Sequence, residues 1–303
     1  MPLLSVIIPV YNEAENILPL HEELLQYLPA DHEMLFIDDG STDNTPLILQ
    51  KLCSRNEKVR SILFSRNFGH QNALMAGLNF AKGDNIITMD GDFQHPPGII
   101  PAMLKELDSF DIVGTKRNRT LKIGLIKKMY SAIFYRLINT ISETKVEPNG
   151  SDFRAFNKKV LQSILLFKER DLFLRGIFSW IGFKSTVVIF EAPERRYGKT
   201  KYSFGKMLKL ALKGITAFSF KPLRVALLIG SIISFAAFAF GLFALVEYYQ
   251  GNTVPGWASI IIGVMFLGGT QLLAIGLLGE YIASLFTETK HRPLYIIDKK
   301  INI

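Results

Sequence analysis

Two uncharged apolar runs late in the chain limit its folding more than any other feature. Val225 to Val246 carries no charge, and neither does Tyr248 to Gly279. Each exceeds the roughly 20 residues that a helix needs to cross a hydrocarbon core of about 30 Å. Buried helices of water-soluble domains are usually shorter, so both runs are expected to span a bilayer. The chain has 303 residues, which leaves room for one substantial domain ahead of the spans.

Flanking charge sets the expected orientation. Lys221 and Arg224 precede the first run, while Lys290, His291, Arg292, Lys299 and Lys300 follow the second. The connector Gln250 to Gly256 contains no Lys or Arg, so both ends are expected in the cytosol, in a multi-pass protein of the inner (cytoplasmic) membrane. Residues 1–10 have no basic leader and their apolar run stops at Pro9, which argues against a signal peptide. The net charge of +8 concentrates beside the apolar segments. Anionic lipid headgroups account for it there, and nucleic acid is not an expected partner. The single Cys53 excludes an intrachain disulfide and reads as a small apolar helix residue.

The first half alternates two periodicities. Short runs rich in Val and Ile predict strands at Leu3–Val10, Met34–Ile37, Val59–Phe64, Asn85–Met89 and Asp111–Val113. Apolar residues spaced by three and four predict helices at Glu13–Leu28, Thr45–Leu52, Gln71–Ala81 and Pro97–Leu107. Such alternation predicts an α/β fold, a mainly parallel sheet with helices on both faces. Residues 121–141 and 204–218 each combine an apolar stripe with lysines, the pattern of helices lying in the headgroup layer. The expected organisation is a cytosolic α/β domain at 1–202, a juxtamembrane helix at 203–221, two spans within 222–287 and a cytosolic tail at 288–303.

The chemistry-bearing turns fall at predicted strand ends, where sheets of this kind receive ligands. The first strand ends in Pro9-Val10-Tyr11-Asn12-Glu13, without the Gly-x-Gly-x-x-Gly that a dinucleotide fold requires. Asn12 could simply cap the helix that follows. The second ends in Asp38-Asp39-Gly40-Ser41, whose adjacent carboxylates suit a base edge and ribose hydroxyls; the spacing and terminal Glu of a calcium loop are missing. The fourth ends in Asp90-Gly91-Asp92-Phe93-Gln94. Two carboxylates one residue apart suit Mg²⁺ or Mn²⁺ bridging a diphosphate, and Gly91 would let the backbone approach a ligand closely. His70 is expected at a helix start, where amides could face a phosphate; His95, next to Asp92, is read equally as a ligand or as turn packing before Pro96-Pro97, and neither His is read as catalytic.

Taken together, Val6-Ile-Ile-Pro-Val-Tyr-Asn-Glu13, the Asp38 turn and Asp90-Gly91-Asp92-Phe93-Gln94-His95-Pro96-Pro97 resemble the inverting family 2 glycosyltransferases with a GT-A, Rossmann-like fold. Gln271 to Tyr281, continuing to Lys290-His-Arg-Pro293, is similar to the bactoprenol glucosyltransferase branch, relatives of dolichol-phosphate mannose synthase. The resemblance implies an enzyme moving a hexose, glucose foremost, from a UDP-sugar to undecaprenyl (polyprenyl) phosphate, with Mg²⁺ or Mn²⁺ as cofactor and a homotetramer in the bilayer. By the same resemblance Pro9, Tyr11, Glu13, Asp38, Asp39, Ser41, Asp90 and Gly91 hold the nucleotide. Asp90, Asp92 and Gln94 hold the metal, and Ser151-Asp152-Phe153-Arg154 points to Asp152 as the catalytic carboxylate. Arg195, Lys199 and Lys201 lie in a segment resembling the basic loop over the diphosphate. Arg117, Lys128 and Arg154 complete the acceptor and diphosphate set. Other donors (UDP-GlcNAc, UDP-aminoarabinose, GDP-mannose) fit the same fold, and a non-catalytic membrane scaffold is the alternative of a different class. A processive polysaccharide synthase would carry more spans and a Gln-x-x-Arg-Trp signature, and neither is present.

Overall fold

The computed structural model describes residues 3–117, 151–170, 173–191, 221–250 and 256–303. They fall into two compact units: the sheet with its helices and residues 292–303, and the two long apolar helices. Both expected amphipathic helices, 121–141 and 204–218, lie outside the described residues.

In the first unit the elements are β1 (Leu4–Val10), α1 (Ala14–Leu25), β2 (His32–Asp38), α2 (Thr45–Arg55), β3 (Val59–Phe64), α3 (His70–Phe80), β4 (Asn85–Thr88), a 3₁₀ turn (Pro97–Ile99), α4 (Ile100–Glu106), β5 (Ile112–Arg117), β6 (Arg154–Asn157), α5 (Lys158–Ile164), α6 (Leu174–Trp180), β7 (Ser185–Phe190) and β8 (Ile297–Ile301). The strands form one sheet in the order β7-β5-β6-β4-β1-β2-β3-β8. β1 pairs in parallel with β2 and β4, and β2 with β3. Every residue of β1, β2 and β3 is buried, which explains why these strands read as continuous apolar runs rather than alternating ones.

Alternate residues of β1 serve opposite faces. Leu4, Val6, Ile8 and Val10 join Met34 and Phe36 in a core with Ile17, Leu20 and Leu24 of α1, Leu49 and Leu52 of α2, and Ile100 and Met103 of α4. On the other face α3 packs on β1 and β2, with Gly77 against Ile7. The sheet is therefore covered on both sides. It is more mixed than expected, because β6 runs antiparallel to β4 and β5, and β8 antiparallel to β3.

The chain leaves β1 toward β2 and β3 on one side, while β4 flanks it on the other. This reversal is a topological switch point, the place where such sheets open a crevice. β1 pairs with β4 only as far as Ile7↔Thr88. Pro9, two residues on, still pairs with Ile37 of β2 but has no ladder donor to lose toward β4.

The second unit contains α7 (Lys221–Tyr249) and α8 (Trp257–Thr289), 29 and 33 residues long. At 1.5 Å per residue they measure about 44 and 50 Å, longer than a hydrocarbon core. Leu223–Phe240 and Phe266–Thr289 are apolar enough to cross a membrane, and none of either window is buried. A core helix of the same composition would hide side chains such as Leu227 and Phe235, which are 71% and 76% exposed.

One ion pair lies deep in the sheet unit. Arg60 of β3 bonds Glu33 of β2, their side chains 4% and 8% exposed. Ser5 and the Lys82 amide also donate to Glu33, and Arg60 donates to the carbonyls of Phe80 and Asn302. Removing one member leaves a buried charge uncompensated. Arg60→Ala is expected to destabilise the sheet unit by about 3–5 kcal/mol. Lys158→Ala, which breaks an exposed pair with Asp84, should cost under about 1 kcal/mol. Denaturant unfolding of both variants in one detergent checks the contrast.

Candidate active site

Three turns meet at the C-terminal ends of β1, β2 and β4. The first two are stitched together. The Asn12 amide donates to Ser41 Oγ (2.8 Å), and Asn12 Oδ1 accepts from the Thr42 amide (2.8 Å). Asn12, at φ 55°, therefore does not cap α1. The amides at the start of that helix are instead taken by Thr45 Oγ1 (from Glu13) and Asp43 Oδ2 (from Ala14). Gly40 adopts φ +68°, and a Cβ there would sit 2.3 Å from the Arg66 backbone carbon, so no other residue fits this turn without moving its neighbour.

The paired aspartates of the second turn divide their work. Asp38 accepts from the Ser41 amide and hydroxyl and lines a cavity of about 480 Å³ with Tyr11, Ser41 and Arg66. Asp39 holds the start of α3 by accepting from the amides of Phe68 (2.7 Å) and Gly69 (2.9 Å). Burial pushes both carboxyls above their ordinary range, against the pull of those hydrogen bonds. Cys53 is buried and its thiol is pushed up to about 11, which leaves it inert.

The third turn is built on His95. Its ring is 1% exposed, stacks on Phe153 at 5.0 Å, accepts from the Asp90 amide at Nδ1 (2.8 Å) and meets Ser151 Oγ at Nε2 (2.6 Å). His95 thus ties the Asp90 turn to the segment preceding β6, a packing role that was one of the two readings open for it. Gly91 faces β1, where a Cβ would lie 2.9 Å from Val10 Cγ1; packing already accounts for the missing side chain. Phe93 is buried at φ 62°, a strained conformation for a bulky residue. Gln94 donates from its backbone and its side-chain amide to the two oxygens of Asp92, orienting that carboxylate.

Asp152 arrives from another part of the sheet. Its carbonyl accepts from Thr88 Oγ1 of β4 (2.7 Å), and the next carbonyl accepts from Thr115 Oγ1 of β5 (2.8 Å). Its carboxylate, 13% exposed, receives two parallel bonds from Arg175 of α6, at 2.7 and 2.8 Å. His70 Nε2, at the start of α3, stands 3.6 Å from Asp152 and 3.5 Å from Asp90. Burial alone would raise the Asp152 pKa, but His70 and Arg175 override it and hold the carboxylate far below the usual range. The His70 side chain is 41% exposed, so loss of water opposes its charge only in part, and Asp152 and Asp90 outweigh that and raise its pKa.

Among the described residues, no three His, Cys, Asp or Glu side chains converge to ligate a metal. Two carboxylates are nevertheless enough for a cation that keeps water and takes its remaining oxygens from a diphosphate. Asp90 Oδ1 is buried and accepts no hydrogen bond, its nearest basic neighbour being His70 Nε2 at 3.5 Å, which leaves its lone pairs available to a cation. Mg²⁺ or Mn²⁺ therefore fits Asp90 and Asp92.

The other expected site residues fare differently. Arg154 donates to the Ser151 carbonyl and lies 4.7 Å over the Phe178 ring. Arg117 ends β5, with its side chain outside the described residues, as are Lys128, Arg195, Lys199 and Lys201 entirely. Arg175 was not anticipated from sequence; its signal was a lone charge within the apolar Phe173 to Phe178. His70 was expected at a helix start, which is correct, but not between two carboxylates.

A largely parallel sheet with helices on both faces that gathers carboxylates beside its switch point, with a cavity at one end, defines a doubly wound α/β architecture. The glycosyl transferase family 2 profile matches residues 5–165, and the chain belongs to that family. It is a glycosyltransferase, and the branch read from the sequence motifs is borne out. The chain is 40% identical over 299 residues to the bactoprenol glucosyl transferase of Shigella phage SfV, covering 97% of each protein. It is 40% identical over 301 residues to the SfII prophage-derived bactoprenol glucosyl transferase of Shigella flexneri, covering 98% of this chain and 97% of the other. An uncharacterized glycosyltransferase of Synechocystis sp. is 37% identical over 299 residues, covering 97% of this chain and 94% of the other.

The Asp152 cluster ties stability to pH. Its depressed carboxylate contributes stability in full above the ordinary Asp value of about 3.9, and loses it as pH falls. The raised His70 contributes in full below about 6.5, and its share is lost as pH rises through its folded value. Thermal unfolding against pH should therefore show the cluster's largest stabilisation between those limits. His70→Ala should flatten the alkaline side of the curve and also shrink the acid side, because His70 helps Arg175 to hold Asp152 ionised.

Proposed function

We propose that this protein transfers a hexose, glucose foremost, from a UDP-sugar to undecaprenyl phosphate at the cytosolic face of the inner membrane, with inversion at the anomeric carbon. The observation that carries the reading is the meeting of Asp90, His70, Asp152 and Arg175 at the switch point. Full-length similarity to bactoprenol glucosyl transferases supports the acceptor and the sugar. The two long helices with exposed apolar surfaces support an enzyme anchored where its lipid substrate resides.

A phosphate oxygen of the acceptor attacks the anomeric carbon from the side opposite the diphosphate. The new carbon–oxygen bond forms as the bond to UDP breaks, and UDP leaves with the electron pair. A phosphate monoester is already largely ionised near neutral pH, so no strong base is required. That agrees with an Asp152 whose two oxygens are occupied by Arg175 and whose charge is balanced by His70. Asp152 acts by position: with its two cations it forms a fixed surface that aligns the acceptor for in-line attack. Asp90 and Asp92, the latter oriented by Gln94, hold the divalent cation, which when bound neutralises charge on the departing diphosphate. Tyr11, Asp38 and Ser41 receive the nucleoside end, while Arg117, Lys128, Arg195, Lys199 and Lys201 supply positive charge for the acceptor and diphosphate.

Purified full-length protein, supplied with Mn²⁺ or Mg²⁺ and undecaprenyl phosphate, should release UDP from UDP-glucose faster than from UDP-GlcNAc or UDP-aminoarabinose. No turnover of any nucleotide sugar, GDP-mannose included, would leave a membrane scaffold as the better reading. Asp92→Ala should abolish metal-dependent UDP binding. Asp152→Asn should keep UDP binding while lowering transfer about 100-fold or more, the scale of loss expected from misaligned reactants. Unimpaired transfer by Asp152→Asn would remove the role assigned to that residue.

A further inference from the structure

Residues 292–303 follow the second apolar helix in the chain, yet they are folded into the sheet unit. β8 runs antiparallel to β3, pairing Ile301 with Ser61, Lys300 with Ile62 and Lys299 with Leu63. Protection of a sheet edge by a lysine-bearing strand explains that much. It does not explain the break in register that follows. Phe64 pairs with Ile297 rather than with Asp298, so β8 carries one extra residue opposite the Leu63–Phe64 step. In a regular strand the consecutive side chains of Asp298 and Lys299 would point to opposite faces. Here both line the cavity that contains Tyr11, Asp38, Ser41 and Arg66, as a bulge permits by re-aiming a side chain.

The tail is fastened on both sides of this bulge. Before it, Tyr295 stacks on Phe64 at 4.9 Å with rings 9° apart, and the Ile296 carbonyl accepts from the Ser65 amide at 3.1 Å. After it, the Asn302 side chain donates to the carbonyls of Cys53 (2.8 Å) and Val59 (2.9 Å). At the bulge, Lys299 Nζ donates to Gln50 Oε1 at 3.0 Å, and Gln50 lines the same cavity.

The cavity has a definite chemistry. Asp38 and Asp298 are acceptors, Lys299, Arg66 and Asn67 bring donors, and Tyr11 offers an aromatic face. A pyrimidine edge that alternates carbonyl and N–H groups, beside ribose hydroxyls, matches that mixture. The diphosphate is assigned to the cation site of Asp90 and Asp92, neither of which lines this cavity, so the cavity is left for the nucleoside end. We propose that the C-terminal strand forms the outer wall of the donor's nucleoside pocket, with Lys299 and Asp298 binding the base and ribose. This deepens the donor site of the glycosyltransferase reading above and rests on it. It also makes the chain leaving the second apolar helix part of the site that holds the soluble substrate.

The test is calorimetric titration of full-length protein in detergent with UDP and with UMP, in Mn²⁺. Lys299→Ala is expected to raise the Kd of both ligands about fivefold or more, because the lost contact is at the nucleoside end, with the ligand-free melting temperature unchanged. Lys300→Ala, whose ammonium lies 4.4 Å over the Phe80 ring, should leave both Kd values as they were. Lys299→Ala binding within twofold of wild type, or a loss matched by Lys300→Ala, overturns the tail's role and leaves the donor reading standing. A wild-type protein that binds neither UDP nor UMP overturns both.

Discussion

A carboxylate nearly removed from water must be paired or must take a proton, and Asp152 is paired twice. The rest of the site is arranged around that requirement. Arg175 comes from α6, His70 from the start of α3, and Asp152 itself from the segment fastened by Thr88 and Thr115 to β4 and β5. Four elements separated in sequence must therefore be in place before the carboxylate can be buried at low cost. The pairing also restricts the chemistry. An aspartate clamped by two guanidinium N–H groups is a poor proton acceptor and a good fixed point, which suits an acceptor that arrives already ionised.

Around this point the polar turns hold the fold, and in the proposed reading the same turns receive the ligand. Asp39 secures the loop before α3, and so the position of His70. Ser41, Thr42, Asp43 and Thr45 satisfy backbone and side-chain groups of Asn12, Glu13 and Ala14, fixing the crevice wall beside Tyr11. Gln94 orients Asp92, and His95 joins the Asp90 turn to Ser151. Substitutions here would disturb several neighbours at once, because few of these side chains touch only one.

The parts legible in the sequence were those with a local cause. Val59–Phe64 was read with its observed bounds, and β1, β2, α2 and α3 within a few residues, because buried parallel strands and amphipathic helices announce themselves by periodicity. β6 is four residues long, and β8 reads Ile-Asp-Lys-Lys-Ile. Neither carries an apolar run, so periodicity predicts no strand at β6 and only a tail at β8. Asp38 and Asp90 stand out because acidic turns at strand ends are visible in one dimension, whereas Asp152 is indicated only by the resemblance of Ser151 to Arg154 to a family segment. Arg175 does not stand out, since nothing near it in the chain needs a cation.

The sequence by itself determined the α/β core, the order of its acidic turns and the two long apolar helices, because each follows from the spacing of neighbouring residues. Tertiary structure alone decided which carboxylate is held ionised, which aspartate supports a loop, and that the last strand returns to wall the cavity beside Tyr11. Those outcomes depend on contacts of about 3 Å between residues far apart in the chain, and the reach of a hydrogen bond leaves no trace in local periodicity.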